Sequence, residues 1–408
     1  MTQSAALGDK MSRTLWIWAT VIAALFSAAM ADPGHAQTNR DCRLREGPSG
    51  PCTCRGVGAD ELVTVARERC QPRRTEPGKA DARTEKKASA ASHASTLAAV
   101  TARGRLVCGV NGDLPGFSMM TKDGRWSGLD VDFCRAVAAA VLGDAQKTDF
   151  VPLSVDARFD ALAKGSVDLL ARNTTWTLER EVEYATGFAG VLWYDGQGFM
   201  TKADTGYVSA QQLAAGRVCV LDGTTTERNA RFFFRQIGAP ETKLVLHKIR
   251  SEMLKAYEDG ACAAYTADRT ALFADRSQFP KPDRHVILPE VISREPLGPV
   301  VRADDPAWAR IVRWVLTGLI NAEEEGLHRR DLKVRMALPA GAQRLIDGSV
   351  RVAPKAGLRP EWLQDAVRQV GSYRDLFDDN LGSETLGMQR GLNALWRDGG
   401  ILYAPPVW

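Results

Sequence analysis

Two stretches of the chain, 105–171 and 217–266, set short apolar strands between amphipathic helices in one order, strand–helix–strand–helix–strand. Arg105 to Val110 reads as a strand, and Asp130 suits the cap of a helix whose inward face carries Phe133, Val137 and Val141 before Gly143 stops it. A strand over Phe150 to Leu153, a helix over Asp156 to Lys164 stopped by Gly165, and a strand over Val167 to Ala171 follow. The second stretch repeats the order: strand Arg217 to Leu221, helix Thr226 to Ile237, strand Lys243 to His247, helix Ser251 to Asp259 and strand Cys262 to Thr266. Helical crossovers make successive strands parallel, and a parallel sheet needs both faces covered. The fold class is therefore α/β.

A shift of 95 residues lays Phe150 on Val245, Phe159 on Leu254, Ala161 on Ala256, Gly165 on Gly260 and Leu169 on Ala264, which reads as one structural unit present twice. Two such units suggest two lobes with a cleft between them. Open α/β sheets bind ligands beyond the carboxyl ends of their strands, so functional residues are to be sought in the loops after the first and third strands of each unit.

The N-terminal region is of another kind. Arg13 precedes an apolar run from Leu15 to Ala29, and Ala29-Met30-Ala31 offers the small residues of a peptidase site, so residues 1–31 read as a cleaved secretory signal. A membrane anchor is the alternative, but the run falls short of the roughly 20 residues that span a bilayer. All eight cysteines lie beyond the cleavage point, an even number that suits disulfides in an oxidising compartment. Cys42, Cys52, Cys54 and Cys70 crowd one Gly-, Pro- and Arg-rich segment, and Pro72 to Ser95 is polar without apolar periodicity. Residues 32–95 thus read as a small disulfide-stapled module with a flexible linker. Cys52-Thr53-Cys54 is open to metal binding, although no nearby His completes a ligand set.

Charge and motif exclude several classes. The net charge of +4 arises before residue 96, and residues 96–408 are balanced, so no basic footprint for nucleic acid exists. His35, His93, His247, His285 and His328 are scattered without metal-ligand spacing, and neither a phosphate-binding Gly/Lys loop nor a G-x-S-x-G turn occurs. No metal or cofactor is expected.

Two loops carry complementary charge. Asn173-Thr174-Thr175-Trp176-Thr177-Leu178-Glu179-Arg180 gathers small hydrogen-bonding groups before one guanidinium, a set suited to a carboxylate in a bidentate fork. The matching loop of the second unit ends in Asp268, which suits a ligand ammonium; both loops serve equally well as helix caps. Asp222-Gly223-Thr224-Thr225-Thr226 adds N–H groups and hydroxyls at a strand-to-helix turn, again an anion site or a simple cap. A guanidinium on one lobe and a carboxylate on the other match the two charges of a zwitterion.

The runs Leu106 to Val110, Leu114 to Ser118, Trp126-Ser127-Gly128-Leu129-Asp130-Val131-Asp132-Phe133-Cys134-Arg135-Ala136-Val137, Arg172 to Thr177, Tyr194 to Met200, Gly391 to Trp396 and Tyr403 to Pro406 resemble the periplasmic general L-amino-acid-binding proteins of ABC transporters, from about residue 95 to the end. The resemblance implies a two-lobed type II periplasmic-binding fold joined by a two-strand hinge, with crossings near 195–202 and 292–299. Lobe 1 is then residues 96–198 with 296–408 and lobe 2 residues 199–295. It implies Arg180, Asn173 and Thr175 as α-carboxylate contacts, Thr224 and Thr225 as a second carboxylate loop, and Asp268 as the ammonium acceptor. Asp113 is implied as an amine contact and Phe117 as an aromatic wall. The implied disulfides are Cys108–Cys134 and Cys219–Cys262. The expected protein is a periplasmic monomer without enzymatic activity that closes on an amino acid and hands it to an inner-membrane permease. Rival readings are a lyase or dehydratase on the same scaffold and a ligand-sensing subunit; residues 32–95 depart from the family pattern.

Overall fold

A computed structural model describes residues 41–44, 52–55, 62–65 and 95–407, apart from 241, 335 and 336. The apolar leader, Cys70, the linker over 72–94 and the side chains of Cys42, Cys52 and Cys54 lie outside the described residues. Within the N-terminal unit, β1 (Asp41–Leu44), β2 (Cys52–Arg55) and β3 (Leu62–Val65) form an antiparallel sheet in that order.

The unit from Ala91 onward holds two five-stranded sheets. Lobe 1 carries β4 (Leu106–Val110), β8 (Thr148–Pro152), β9 (Leu169–Leu170), β10 (Thr186–Phe188) and β18 (Val300–Arg302) in the order β10-β18-β9-β4-β8. Lobe 2 carries β12 (Gln197–Lys202), β13 (Arg217–Leu221), β14 (Lys243–His247), β15 (Ala264–Asp268) and β16 (His285–Ile287) in the order β16-β12-β15-β13-β14. The two orders are the same arrangement, so the duplicated unit holds at the level of sheet topology. In each sheet four strands run one way and one, β18 or β12, opposes them. The opposing strand is in each case reached through the hinge, because the chain crosses between lobes twice.

The helices follow from amphipathic spacing and their stops. In lobe 1, α1 (Thr96–Arg103), α2 (Leu129–Leu142), α3 (Arg158–Ala163) and α4 (Leu178–Glu183) accompany the sheet, and α2 and α1 end at left-handed glycines Gly143 and Gly104. The start of α2 differs from expectation: Gly128 is its N-cap, with φ +127°, and Asp130 lies inside the first turn. A Cβ at Gly128 would stand 2.1 Å from the carbonyl oxygen of Phe117, so only glycine admits the chain there. In lobe 2, α5 (Thr225–Gln236), α6 (Arg250–Glu258) and α7 (Arg269–Gln278) flank the sheet. Its two faces are packed by Met253, Tyr257, Tyr265 and Leu272 on one side and Phe199, Leu213 and Phe234 on the other.

Both disulfides form as the resemblance implies, Cys108–Cys134 tying β4 to α2 and Cys219–Cys262 tying β13 to the entry of β15. Cys108 lies opposite Phe150 and Cys219 opposite Val245, the pair superposed by the 95-residue shift. The two lobes therefore anchor a staple at the same place but send it to different partners.

The hinge is the antiparallel pair β11 (Trp193–Asp195) and β17 (Glu295–Leu297), with Asp195 facing Glu295. Helices α8 (Pro306–Glu324), α9 (Arg329–Val334), α10 (Ala340–Ala356), α11 (Trp362–Gln369) and α12 (Tyr373–Asn380) return to lobe 1 and join its core. The C-terminal segment also holds the hinge. The Asn393 side chain accepts from the Tyr194 N–H at 2.6 Å and donates to the Tyr194 carbonyl at 2.9 Å, standing in for a third strand beside β11. The Tyr373 hydroxyl donates to the Leu192 carbonyl, and Phe377 stacks on Trp193 at 5.9 Å.

Candidate functional site

The carboxyl ends of the two sheets meet in a cavity of about 70 Å³ walled from lobe 1 by Asn111, Leu114, Val155, Arg158, Arg172, Asn173, Thr175 and Arg180 and from lobe 2 by Leu221, Thr224, Thr225, Thr226, Arg250, Met253, Thr266, Ala267, Asp268 and Ala271. Contacts across it hold the lobes together. The Thr175 and Thr225 hydroxyls are 3.3 Å apart, and Arg228 on α5 pairs with Glu179 on α4.

Arg180 reaches this cavity because α4 begins one turn earlier. The Thr177 hydroxyl accepts from the Arg180 N–H, which caps the helix and directs the Arg180 side chain inward, where its guanidinium donates to the Thr175 carbonyl at 2.6 Å. Capping and ligand recognition are thus not alternatives in this loop. Burial lowers the Arg180 pKa below its ordinary value, and Glu295 on the hinge opposes the shift. That glutamate, fully buried, accepts from Thr175 at 2.6 Å, Asn229 at 2.7 Å and Ser293 at 2.5 Å, and so locks the loop to both lobes.

Asp268 occupies the N-cap position of α7 yet makes no side-chain cap hydrogen bond, so its carboxylate is turned to the cavity. Burial, then the neighbouring Asp195 and Glu295, push its pKa well above the usual carboxylate range. Asn173 stands beside it with φ +37°, a left-handed conformation unusual for a residue with a Cβ, held in place as its N–H donates to Asp130 and its side-chain oxygen accepts from Asn111. Thr224 caps α5 through its hydroxyl, which accepts from the Glu227 N–H, while the first turn of α5 presents Thr225 and Thr226 to the cavity.

Two of the expected site residues stand elsewhere. Phe117 is fully buried in the core of lobe 1 and forms no wall of the cavity, because the β5 (Asp113–Leu114) to β6 (Ser118–Met120) turn folds the ring inward. Asp113 lies at the rim, half exposed, where Arg250 donates to its carbonyl at 2.7 Å and its carboxylate is 4.0 Å from that guanidinium. Among the lining residues that the sequence did not assign to the site, Val155 and Arg158 follow β8, and Arg250 and Met253 follow β14. Their signal was positional, since second strands end at the same sheet edge as the first and third.

Among the described residues, Cys219, His247 and Cys262 are grouped closely enough to share a metal ion, but both sulfurs are bound in the disulfide and offer no thiolate.

Asp130 carries a pH consequence. Burial raises its pKa from the ordinary 3.8 to about 7, against the N–H of Asn173 and the charge of Arg172. A carboxyl with a raised folded pKa binds more protons folded than unfolded, so its contribution is complete below pH 4 and disappears as pH rises through 7. The expected result is a lower urea midpoint at pH 8 than at pH 5, worth up to roughly 2.7 kcal/mol, with Asp130→Asn flattening most of that slope. Equal midpoints for the wild-type protein at the two pH values would refute it.

Residues 106–327 match the model of the bacterial extracellular solute-binding proteins, family 3. The chain belongs to that family. It is 42% identical over 324 residues to the general L-amino acid-binding periplasmic protein AapJ of Rhizobium johnstonii, covering 78% of this chain and 94% of that one. It is 43% identical over 319 residues to the glutamate/glutamine/aspartate/asparagine-binding protein BztA of Rhodobacter capsulatus, again covering 78% and 94%. Among solved structures, a Brucella ovis ABC transporter periplasmic binding protein with glutathione bound superposes with a TM-score of 0.74 at 43% identity, covering 78% of this chain and all of that one. These relatives are solute-binding proteins, and the type II two-lobed architecture of this family 3 member is theirs.

Proposed function

We propose that this family 3 protein is the periplasmic solute-binding component of an amino-acid ABC transporter, and that it takes L-amino acids in the interlobe cavity by hinge closure. The observation that carries the reading is that Arg180 from one lobe and Asp268 from the other line one cavity. Arg180, with Thr175 and the first turn of α5, takes the α-carboxylate; Asp268, with Asn173, takes the α-ammonium. The lobes divide close to the expected bounds, lobe 2 beginning with β12 at Gln197, and closure occurs by bending of β11 and β17. The named relatives support the solute class: AapJ and BztA are called amino-acid-binding proteins, and the glutathione of the Brucella ovis protein has a free α-amino-acid end. The chain acts as an exported monomer, its leader removed near residue 31, and performs no covalent step.

A thermal-shift screen of the mature protein against the common L-amino acids tests this reading. Ligand at 100 times its dissociation constant stabilises the folded state by about 2.7 kcal/mol, so binders raise the melting temperature by a few degrees. Several L-amino acids should do so, their D-enantiomers should not, and ligand recovered after denaturation should be chemically unchanged. No shift with any amino acid, or a converted ligand, would count against it.

A further inference from the structure

We propose that the chain beyond residue 327 braces the hinge: Asn393 fixes Tyr194 to lobe 1, so that lobe 2 turns about the Tyr194–Asp195 step, and the brace thereby sets the affinity for every ligand without touching any. The inference rests on the reading of the cavity as a site closed by hinge bending, and it adds the part of the chain that controls the bend.

The family match ends at residue 327, so the brace is built from sequence outside it. Arg390 is the anchor. Its guanidinium pairs with the buried Glu323 of α8, 3.0 Å from Oε2, and lies over the rings of Tyr373 and Phe377, 5.3 Å from each centroid. The same guanidinium donates to the Asn393 carbonyl at 2.8 and 3.0 Å, and so holds in place a residue that is only 2% exposed. The Asn393 side chain then meets both backbone groups of Tyr194. Since β11 pairs with β17 alone, its outer edge at Tyr194 is open without Asn393.

Both hinge strands pass from one lobe to the other at the same line. In β11, Tyr373, Phe377 and Asn393 hold Leu192, Trp193 and Tyr194 to lobe 1. One residue further, Asp195 accepts from the Thr270 N–H at 3.2 Å and the Gly196 carbonyl accepts from the Arg269 N–H at 2.7 Å, both in the first turn of α7 in lobe 2. In β17, the Pro296 carbonyl accepts from the Trp176 N–H at 2.8 Å and the Gly298 N–H donates to the Thr174 carbonyl at 3.0 Å, both in lobe 1. Glu295, facing Asp195, accepts from Asn229 of lobe 2. Two side-chain contacts cross this line: the Trp193 indole donates to the Thr270 hydroxyl at 2.9 Å, and the Thr175 hydroxyl donates to Glu295. The brace positions Trp193 for the first of them.

With the brace removed, Tyr194 joins the bend, arrangements with the lobes further apart gain entropy, and the closed fraction falls. Observed affinity scales with that fraction, so every ligand loses the same factor. For residues that touch no ligand, coupling of this kind is on the order of fivefold.

The test pairs small-angle scattering with titration calorimetry on the mature wild type, Asn393→Ala and Tyr373→Phe, with L-glutamate, L-glutamine and L-alanine as probes. Without ligand, Asn393→Ala should have a larger radius of gyration than wild type; with a saturating probe the two radii should agree. Its affinity should fall about fivefold, equally for each probe that wild type binds. Tyr373→Phe, which deletes only the hydroxyl on the Leu192 carbonyl, should move both readouts the same way by less, and it decides the matter if Asn393→Ala folds poorly. Unchanged ligand-free radii, affinities within twofold of wild type, or losses that differ more than threefold between probes overturn the brace. Failure of wild type to bind any amino acid removes the reading of the cavity instead, and the ligand-free radii still decide the brace.

Discussion

Arg180→Ala should lose affinity for every amino acid the protein binds by about 150-fold or more, equivalent to about 3 kcal/mol or more, while the unliganded protein keeps its melting temperature within a few degrees. The loss is large because Arg180 is buried in the cavity wall and its guanidinium is the one held at the Thr175 carbonyl, beside the Thr175 and Thr225 hydroxyls against which the α-carboxylate is proposed to lie. The small effect on the unliganded fold follows from the pairing around it. Glu295 keeps Thr175, Asn229 and Ser293 as donors after the guanidinium is gone, and the Thr177 cap uses the backbone of residue 180, not its side chain. Arg180→Lys should fall between the two, since an ammonium keeps the charge but cannot form the two-pronged contact. Titration calorimetry on the three proteins reads this directly. An alanine variant within threefold of wild type would end the assignment of Arg180 as the carboxylate ligand.

Removing the lobe 2 staple is the second large effect. Replacing Cys219 and Cys262 together by alanine opens a loop with a sequence separation of 43, for which chain entropy gives about 4 kcal/mol and engineered cases more often 2–4 kcal/mol. Lobe 2 is the more exposed to this loss. Its core is divided between two small clusters on either side of one sheet, whereas lobe 1, beside one small cluster of its own, shares a large core with the C-terminal helices. Urea unfolding of the double variant should therefore become two-phased, lobe 2 melting first, and saturating ligand should draw the phases together because it bridges the lobes. A single transition displaced by less than 1 kcal/mol would mean that the bond contributes little to lobe 2.

Much of the scaffold was legible in the sequence because its determinants are local. The strands after residue 105, the helix stops at Gly143 and Gly165 and the 95-residue repeat depend on neighbours within a turn or a strand. The repeat did not reveal β12 and β18, since each enters its sheet only after a crossing, from a part of the chain outside the repeated stretch. Asp130 shows the limit at one residue: a carboxylate near a helix start resembles a cap, but the tight turn at Gly128 moved the cap two positions back and left Asp130 to hold the backbone of Asn173, 43 residues away.

Legible from the residues alone were the α/β class, the repeated unit and the family, with Arg180 and Asp268 as candidates for the two charged ends of a cleft. Each follows from local periodicity, from a helix cap, or from motif runs intact along the chain. Which groups face the cavity, and which are already satisfied, emerged from the folded arrangement. It turned the Phe117 ring into the core, set the Asp113 carbonyl against Arg250 from 137 residues away, and left the Arg158 Nε with no partner. The reason is that a side chain's electrostatic role depends on what the fold brings within a few ångströms of it, and those neighbours come from remote parts of the chain.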